Sequence, residues 1–210
     1  MSGIIPDRLV VRALRRGLHA VIGDGAGEEG DPDVIRDVLS TLADEELEKV
    51  ITAMTSTHRP TVIRGYPRID STFPCISVVT LSDSDNAVYL SESDQDVYDD
   101  DDAKIGASRS RRRADTISIN IIGQHVDLIH YLYYVVKRVV EVATLFFENN
   151  GLDLSSIQGS EMEPIRRGEG EGEGEHMFRR RVTLTIEYVD EWPEGDALWV
   201  ALNGAAEAWS

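Results

Sequence analysis

The sequence holds a single cysteine, Cys75, in 210 residues. That excludes an intrachain disulfide and a cysteine-based metal cluster. Lysine is nearly absent: Lys49, Lys104 and Lys137 stand among 21 basic residues, and the others are arginine. Long apolar runs are missing too. The longest is broken by Lys137, Arg138 and Glu141, which suits a buried helix and not a membrane span. No signal peptide is expected, since Pro6, Asp7, Arg8 and Arg12 break up Ile4, Ile5, Leu9, Val10 and Val11. The sequence also lacks a Gly-x-Ser-x-Gly, a P-loop and any pair of cysteines. The expectation is a soluble, non-enzymatic chain made in a cytoplasm, with no cofactor and no metal.

Acid is abundant instead. The net charge of −17 repels nucleic acid and anionic membranes on average. An acidic, lysine-poor surface fits a high-salt cytoplasm, and it equally fits an arginine-rich codon usage with two acidic loops. A melting temperature that rises from low to molar KCl is the signature of the first reading. Apolar residues make up 41% of the chain and several stretches are wholly polar, which predicts one packed core carrying flexible inserts.

The stretch 115–151 organises the rest. Ile117, Ile119 and Ile121 alternate with Thr116, Ser118 and Asn120, the period-2 pattern of a strand with one buried face. After Gly123 the period changes. Leu128, Leu132, Val135, Val139, Val142 and Phe146 recur three or four apart, as on one face of a helix. Asn149, Asn150 and Gly151 signal its end, so one helix of about 36 Å is predicted over 126–149.

Before this stretch, residues 6–22 read as an amphipathic helix. Asp31 and Pro32 open a second helix, as N-cap and first helical residue, running to about residue 55 with a restart at Asp44. The Gly-rich loop 23–30 lacks the preceding strand and following Gly-Lys of a phosphate cradle. Strands are expected at Thr61–Arg64, Phe73–Leu81 and Ala87–Leu90, the last two as a hairpin around a turn at Ser82–Asn86. Short extended pieces flank Gly159, and a long strand covers Met177–Val189. Its Phe178, Arg180, Val182, Leu184, Ile186 and Tyr188 share a face. Asp196 caps a last amphipathic helix with Leu198, Trp199, Leu202 and Trp209. The fold class is therefore α+β: a mainly antiparallel sheet with one long helix packed on it, N-terminal helices and a short C-terminal helix. The expected division is a helical extension over 1–58, suited to docking or to an oligomer arm, a core over 59–192 and a tail over 193–210. Flexible inserts are placed near 91–113 and 168–175.

Five groups are candidates for chemistry. His125, Asp127 and His130 lie close in sequence, but the two histidines are five apart and diverge by about 140° around a helix. Asp127 suits the positive helix start. Asp83, Asp85, Asp94, Asp96 and Asp99–Asp102 are an acidic run, yet a calcium loop beginning at Asp83 would place Val88 and Asp94 where Gly and Glu are required. The arginines at 109 and 111–113 lack interleaved aromatics for nucleic acid and neighbour equal negative charge. Arg179, Arg180 and Arg181 alternate faces on a strand, and Cys75 has apolar neighbours and no adjacent histidine. The structural reading leads in each case, so no catalytic, cofactor or metal residue is assigned.

The order of segments resembles the tail terminator (tail completion) proteins of tailed viruses, bacteriophage or archaeal. The resemblance rests on Phe73–Thr80, Val88–Ser91, Asp115–Gly123, the long helix, Ile157–Ile165 and Phe178–Trp192, and spans about 61–192. It implies a virion protein that forms a ring, usually of six copies, at the head-proximal end of the tail tube. Its partners would be other copies of itself, the tube protein and the head-side connector. DNA would pass through without sequence-specific binding, and no membrane would be involved. Acidic loops at 91–102 and 168–175 would line that passage. The alternatives are another neck or head-completion subunit, a small metal-dependent enzyme built on His125, Asp127 and His130, or an adaptor that binds a peptide at a sheet edge.

Overall fold

The structure is a computed structural model that describes residues 5–23, 30–57, 59–68, 71–85, 95–98, 104–167 and 175–193. Seven strands form one mixed, mostly antiparallel sheet: β1 (Thr61–Arg64), β2 (Cys75–Asp85), β3 (Gln95–Tyr98), β4 (Lys104–Gly123), β5 (Leu152–Gly159), β6 (Glu163–Arg167) and β7 (Glu175–Pro193). The path is β1-β2-β4-β7-β5, with β3 added to β4 and β6 to β7, and only β1–β2 is parallel. The α+β class is as the alternating patterns predict.

Register explains the core. Val78, Ile119 and Val182 lie abreast, as do Ile76 and Ile121, and Ile117 and Leu184. All of them are fully buried on one face. That face is covered by α1 (Pro6–Ile22) and α4 (Val126–Val142), joined by α2 (Asp33–Val38), α3 (Asp44–Thr52) and a π turn at Ala53–Thr57. Val10 and Leu14 of α1, Ile35 and Met54 belong to the same core as Leu132 and Val135 of α4. The segment read as an N-terminal extension is thus half of the helical layer, because α1 shields the β1–β2 side that a single helix leaves bare. An ion pair fixes this arrangement: Arg64 Nε donates to Asp7 Oδ2 at 2.5 Å, joining β1 to the first turn of α1. Each fully buried aliphatic side chain contributes about 1.5–3 kcal/mol.

Local signals held where they were strong. Asp31 Oδ1 accepts the N–H of Asp33 at 3.1 Å, and Pro32 is already helical at φ −68°, ψ −12°. The second helix breaks over 39–43 and restarts at Asp44. Gly151 sits at φ 75°, the left-handed conformation expected after a helix end.

Other expectations are corrected. The single long helix is two: α4 ends at Val142, Ala143 adopts φ −75°, ψ 1°, and α5 (Thr144–Glu148) follows. Thr144 Oγ1 donates to the Glu141 carbonyl at 2.8 Å, a side-chain bond that competes with helix continuation. The buried stripe stops with it: Val139 is 7% exposed and Val142 64%. The basic part of the insert read near 91–113 is strand, since β4 begins at Lys104 and pairs with β7 from Ser108 onward. β2 likewise continues as strand to Asp85, past the expected turn. The return strand 87–90, the loop 168–174 and the C-terminal helix lie outside the described residues, as do residues 91–94 and 99–103 of the acidic run.

Candidate functional site

His125 is the last extended residue before α4, at φ −100°, ψ 111°, and Asp127 lies in the first helical turn. His130 turns instead toward β7, with Nδ1 2.9 Å from Arg180 Nη1. The predicted divergence therefore holds, and no group of three His, Cys, Asp or Glu residues suited to a metal occurs among the described residues. Cys75 is fully buried beside Ile122 and Met177 on the opposite face of the sheet. Asp83 and Asp85 lie in β2 opposite Asp115 and Arg113, in strand geometry rather than a calcium loop.

What the fold does assemble is a cluster around Arg180. Its guanidinium stacks 3.6 Å from the Tyr133 ring centroid and 5.1 Å from that of Tyr134. Nε donates to the Ser160 carbonyl at 3.2 Å. His130 and Tyr134 meet edge to face at 5.2 Å. As arginine can only donate, Nδ1 of His130 is the unprotonated acceptor. Gly159 admits the stack: a Cβ there would lie 1.8 Å from the Tyr133 hydroxyl oxygen. The cluster fastens the β5–β6 connection to α4. Its sequence signal was a lone arginine on the otherwise apolar inward face of β7, matched by His130 and Tyr134 one helical turn apart.

The opposite face of the sheet is polar at its centre and closed. Ser77, Ser118 and Asn120 are buried, whereas the period-2 pattern had placed Ser118 and Asn120 toward solvent. Ser77 Oγ donates to the Gly65 carbonyl at 2.6 Å, and Ser118 Oγ to Asn120 Oδ1 at 3.3 Å. Glu163 Oε2 holds Arg179 at 2.5 Å and Arg181 at 3.6 Å, with Arg180 on the other side as strand alternation requires. The hydrogen bond from Arg179, then its charge, holds the Glu163 carboxyl below its ordinary range.

The feature with room for a partner is the β4–β7 ladder beyond the helices. Sixteen successive register pairs run from Ser108 opposite Pro193 to Gly123 opposite Phe178. α4 has 17 residues, about 26 Å, and so spans only about eight strand residues, those from 115 onward. Residues 104–112 of β4 and 189–193 of β7 continue the ladder beyond that length as an arm, with β3 paired to 104–108. One ion pair crosses the strands there: Arg112 Nη2 meets Glu187 Oε2 at 2.5 Å. Arg112 of the basic run is therefore tied to its own sheet. β5 reaches only to Tyr188 and β6 pairs with 175–179, so residues 189–193 have no strand on their outer edge among the described residues. At the other side of the sheet β1 covers only 75–78 of β2.

No family model matches the chain, and no curated protein matches it.

Proposed function

We propose that the chain is a virion structural protein, a tail terminator: a ring-forming subunit at the head-proximal end of the tail tube that stops tube growth and joins tail to head connector. The observation that carries this reading is the arm. A ladder that outruns the stretch α4 spans, with β3 paired to its 104–108 end and no strand on the edge at 189–193 among the described residues, is suited to strand addition between neighbouring subunits. Repeated head to tail around a closed rotation, such contacts make a ring. The segment order from β2 to β7 supplies the resemblance to tail terminators, and the net charge of −17 suits a passage through which DNA slides without being gripped. The separation of His125, Asp127 and His130 weighs against the enzyme alternative. No helix among the described residues is long and apolar enough to cross a membrane.

Polymerising tail tube protein in the presence of this chain tests the role. The expected result is shorter tubes, each bearing the protein at one end. Tubes of unchanged length with no bound chain would overturn the assignment. Protein found only on the connector side would move it to the neck or head-completion reading.

A further inference from the structure

A cavity of about 280 Å³ opens between the second half of α1 and the start of β1. Three of its lining side chains are basic, Arg15 and His19 from α1 and Arg59 from the segment entering β1, and none is acidic. That reverses the balance of a chain with 38 acidic and 21 basic residues. Leu18, Ile22, Pro60 and Val62 supply an apolar wall. Elsewhere Arg36, Arg64, Arg112, Arg138, Arg179 and Arg181 each meet a carboxylate. Arg15 and Arg59 meet none among the described residues.

Basic residues near a helix C-terminus often serve only the negative end of its dipole. That accounts for the two from α1 and not for Arg59. Two carbonyls of the last turn are already engaged: Gly23 N–H donates to that of His19 and Asp31 N–H to that of Ala20, each at 2.8 Å. Arg15 Nη2 donates to the Val62 carbonyl at 3.0 Å, which holds its guanidinium at the cavity with N–H groups to spare. Arg59 Nη1 is buried and has no hydrogen-bond partner. A buried cationic donor without an acceptor is the exception in folded proteins, and an acceptor brought to this cavity would satisfy it.

We propose that the cavity is a binding site for a small organic phosphate monoester. Guanidinium groups match a phosphate with bidentate, charge-assisted hydrogen bonds. Two permanent positive charges suit a dianion better than a single carboxylate. The apolar wall takes the group esterified to the phosphate, and the volume admits a ligand at the small end of the usual range. The source is a free monoester, since a net charge of −17 repels a polyanion. The site is built from α1 and β1 and not from the arm, so the inference stands whether or not the chain forms a ring.

Isothermal titration calorimetry of the full chain with phenyl phosphate, in a phosphate-free buffer, tests it. One site per chain is expected. Inorganic phosphate, which lacks the apolar group, and benzoate, which lacks the second charge, should each bind about tenfold more weakly. Arg59→Gln and Arg15→Gln should each weaken phenyl phosphate binding by about tenfold or more, with the far-UV CD melt retained. Arg59→Lys keeps the charge and loses the planar fork, so it should also weaken binding, and it covers the case in which Arg59→Gln fails to fold. Arg8→Gln removes the same charge outside the cavity and should change the affinity by less than about twofold. Equal weakening by Arg8→Gln would reduce the effect to overall charge and overturn the proposal. Benzoate bound as tightly as phenyl phosphate would overturn it, as would binding of a terminally phosphorylated oligonucleotide alone. Binding that appears only when Glu28→Gln and Glu29→Gln are combined would give the site to the chain's own carboxylates, and no binding by any of these chains would leave it without a ligand; both outcomes overturn the proposal.

Discussion

One pair of strands, β4 and β7, is used in two different ways along its length. From Asp115 to Gly123 and from Phe178 to Ile186 the ladder lies under α4, with isoleucine, valine and leucine abreast on the inward face. From 104 to 114 and from 189 to 193 the same ladder is rich in arginine and carboxylate residues and runs beyond the length of α4. Backbone hydrogen bonding is continuous through both halves. The difference therefore lies in what the side chains bury. The inner half stabilises the subunit, and the outer half is the part that the proposed ring would use.

The inner half should fail abruptly. Val135 is fully buried in α4, so Val135→Asp places an unpaired charge in the core. A loss above about 4 kcal/mol is expected, seen as insoluble protein or an absent cooperative melt. Soluble, folded Val135→Asp protein would refute the placement of α4. The tie between α1 and β1 should matter less. The Asp7 side chain is 12% exposed and Arg64 46%. Arg64→Ala leaves the Asp7 carboxylate without this partner and should cost about 1–3 kcal/mol in a denaturant titration. Asp7→Ala with Arg64→Ala should cost less than the sum of the two single changes, because they share one interaction.

The outer half should behave oppositely. Arg112 and Glu187 are 39% and 22% exposed, so Arg112→Ala should change stability by less than about 1 kcal/mol. It should nonetheless weaken subunit association, read by analytical ultracentrifugation. An Arg112→Ala chain that associates as the parent does would blunt the contrast between the halves. The smallest effect is the acid one. Glu163 titrates below its ordinary value in the folded chain, so its pairing stabilises the fold above about pH 4.5 and the contribution fades as pH falls further. Thermal melts at pH 3–6 should show a slightly weaker acid dependence for Glu163→Gln, and an identical dependence would remove Glu163 from the account.

The inner half was legible in the sequence and the outer half was not. Ile117, Ile119 and Ile121 announce a buried strand face, and Leu128 to Val139 a buried helical face, because burial on one side imprints its period on the residues. The arm carries no such period. A ladder held by backbone bonds and a cross-strand ion pair reads as a polar loop until its partner is seen. The break after Val142 escaped the same kind of reading, since Val142 and Phe146 continue the helical spacing while Thr144 turns its hydroxyl back on the Glu141 carbonyl. The Arg180 cluster left a trace in the inward arginine itself, but its aromatic partners lie some 50 residues away. The packing partner of α1 is hidden in the sequence for a related reason. Its amphipathic pattern shows that one face is buried, without showing against what.

Native mass spectrometry of the full chain, alone and with tail tubes, bears most directly on the claim that the arm builds a ring. The account predicts a closed assembly, about 140 kDa for six copies of 23.3 kDa, that is lost when the unpaired edge is blocked by Val189→Pro. A 23.3 kDa monomer under both conditions, or a ring indifferent to that substitution, would contradict it.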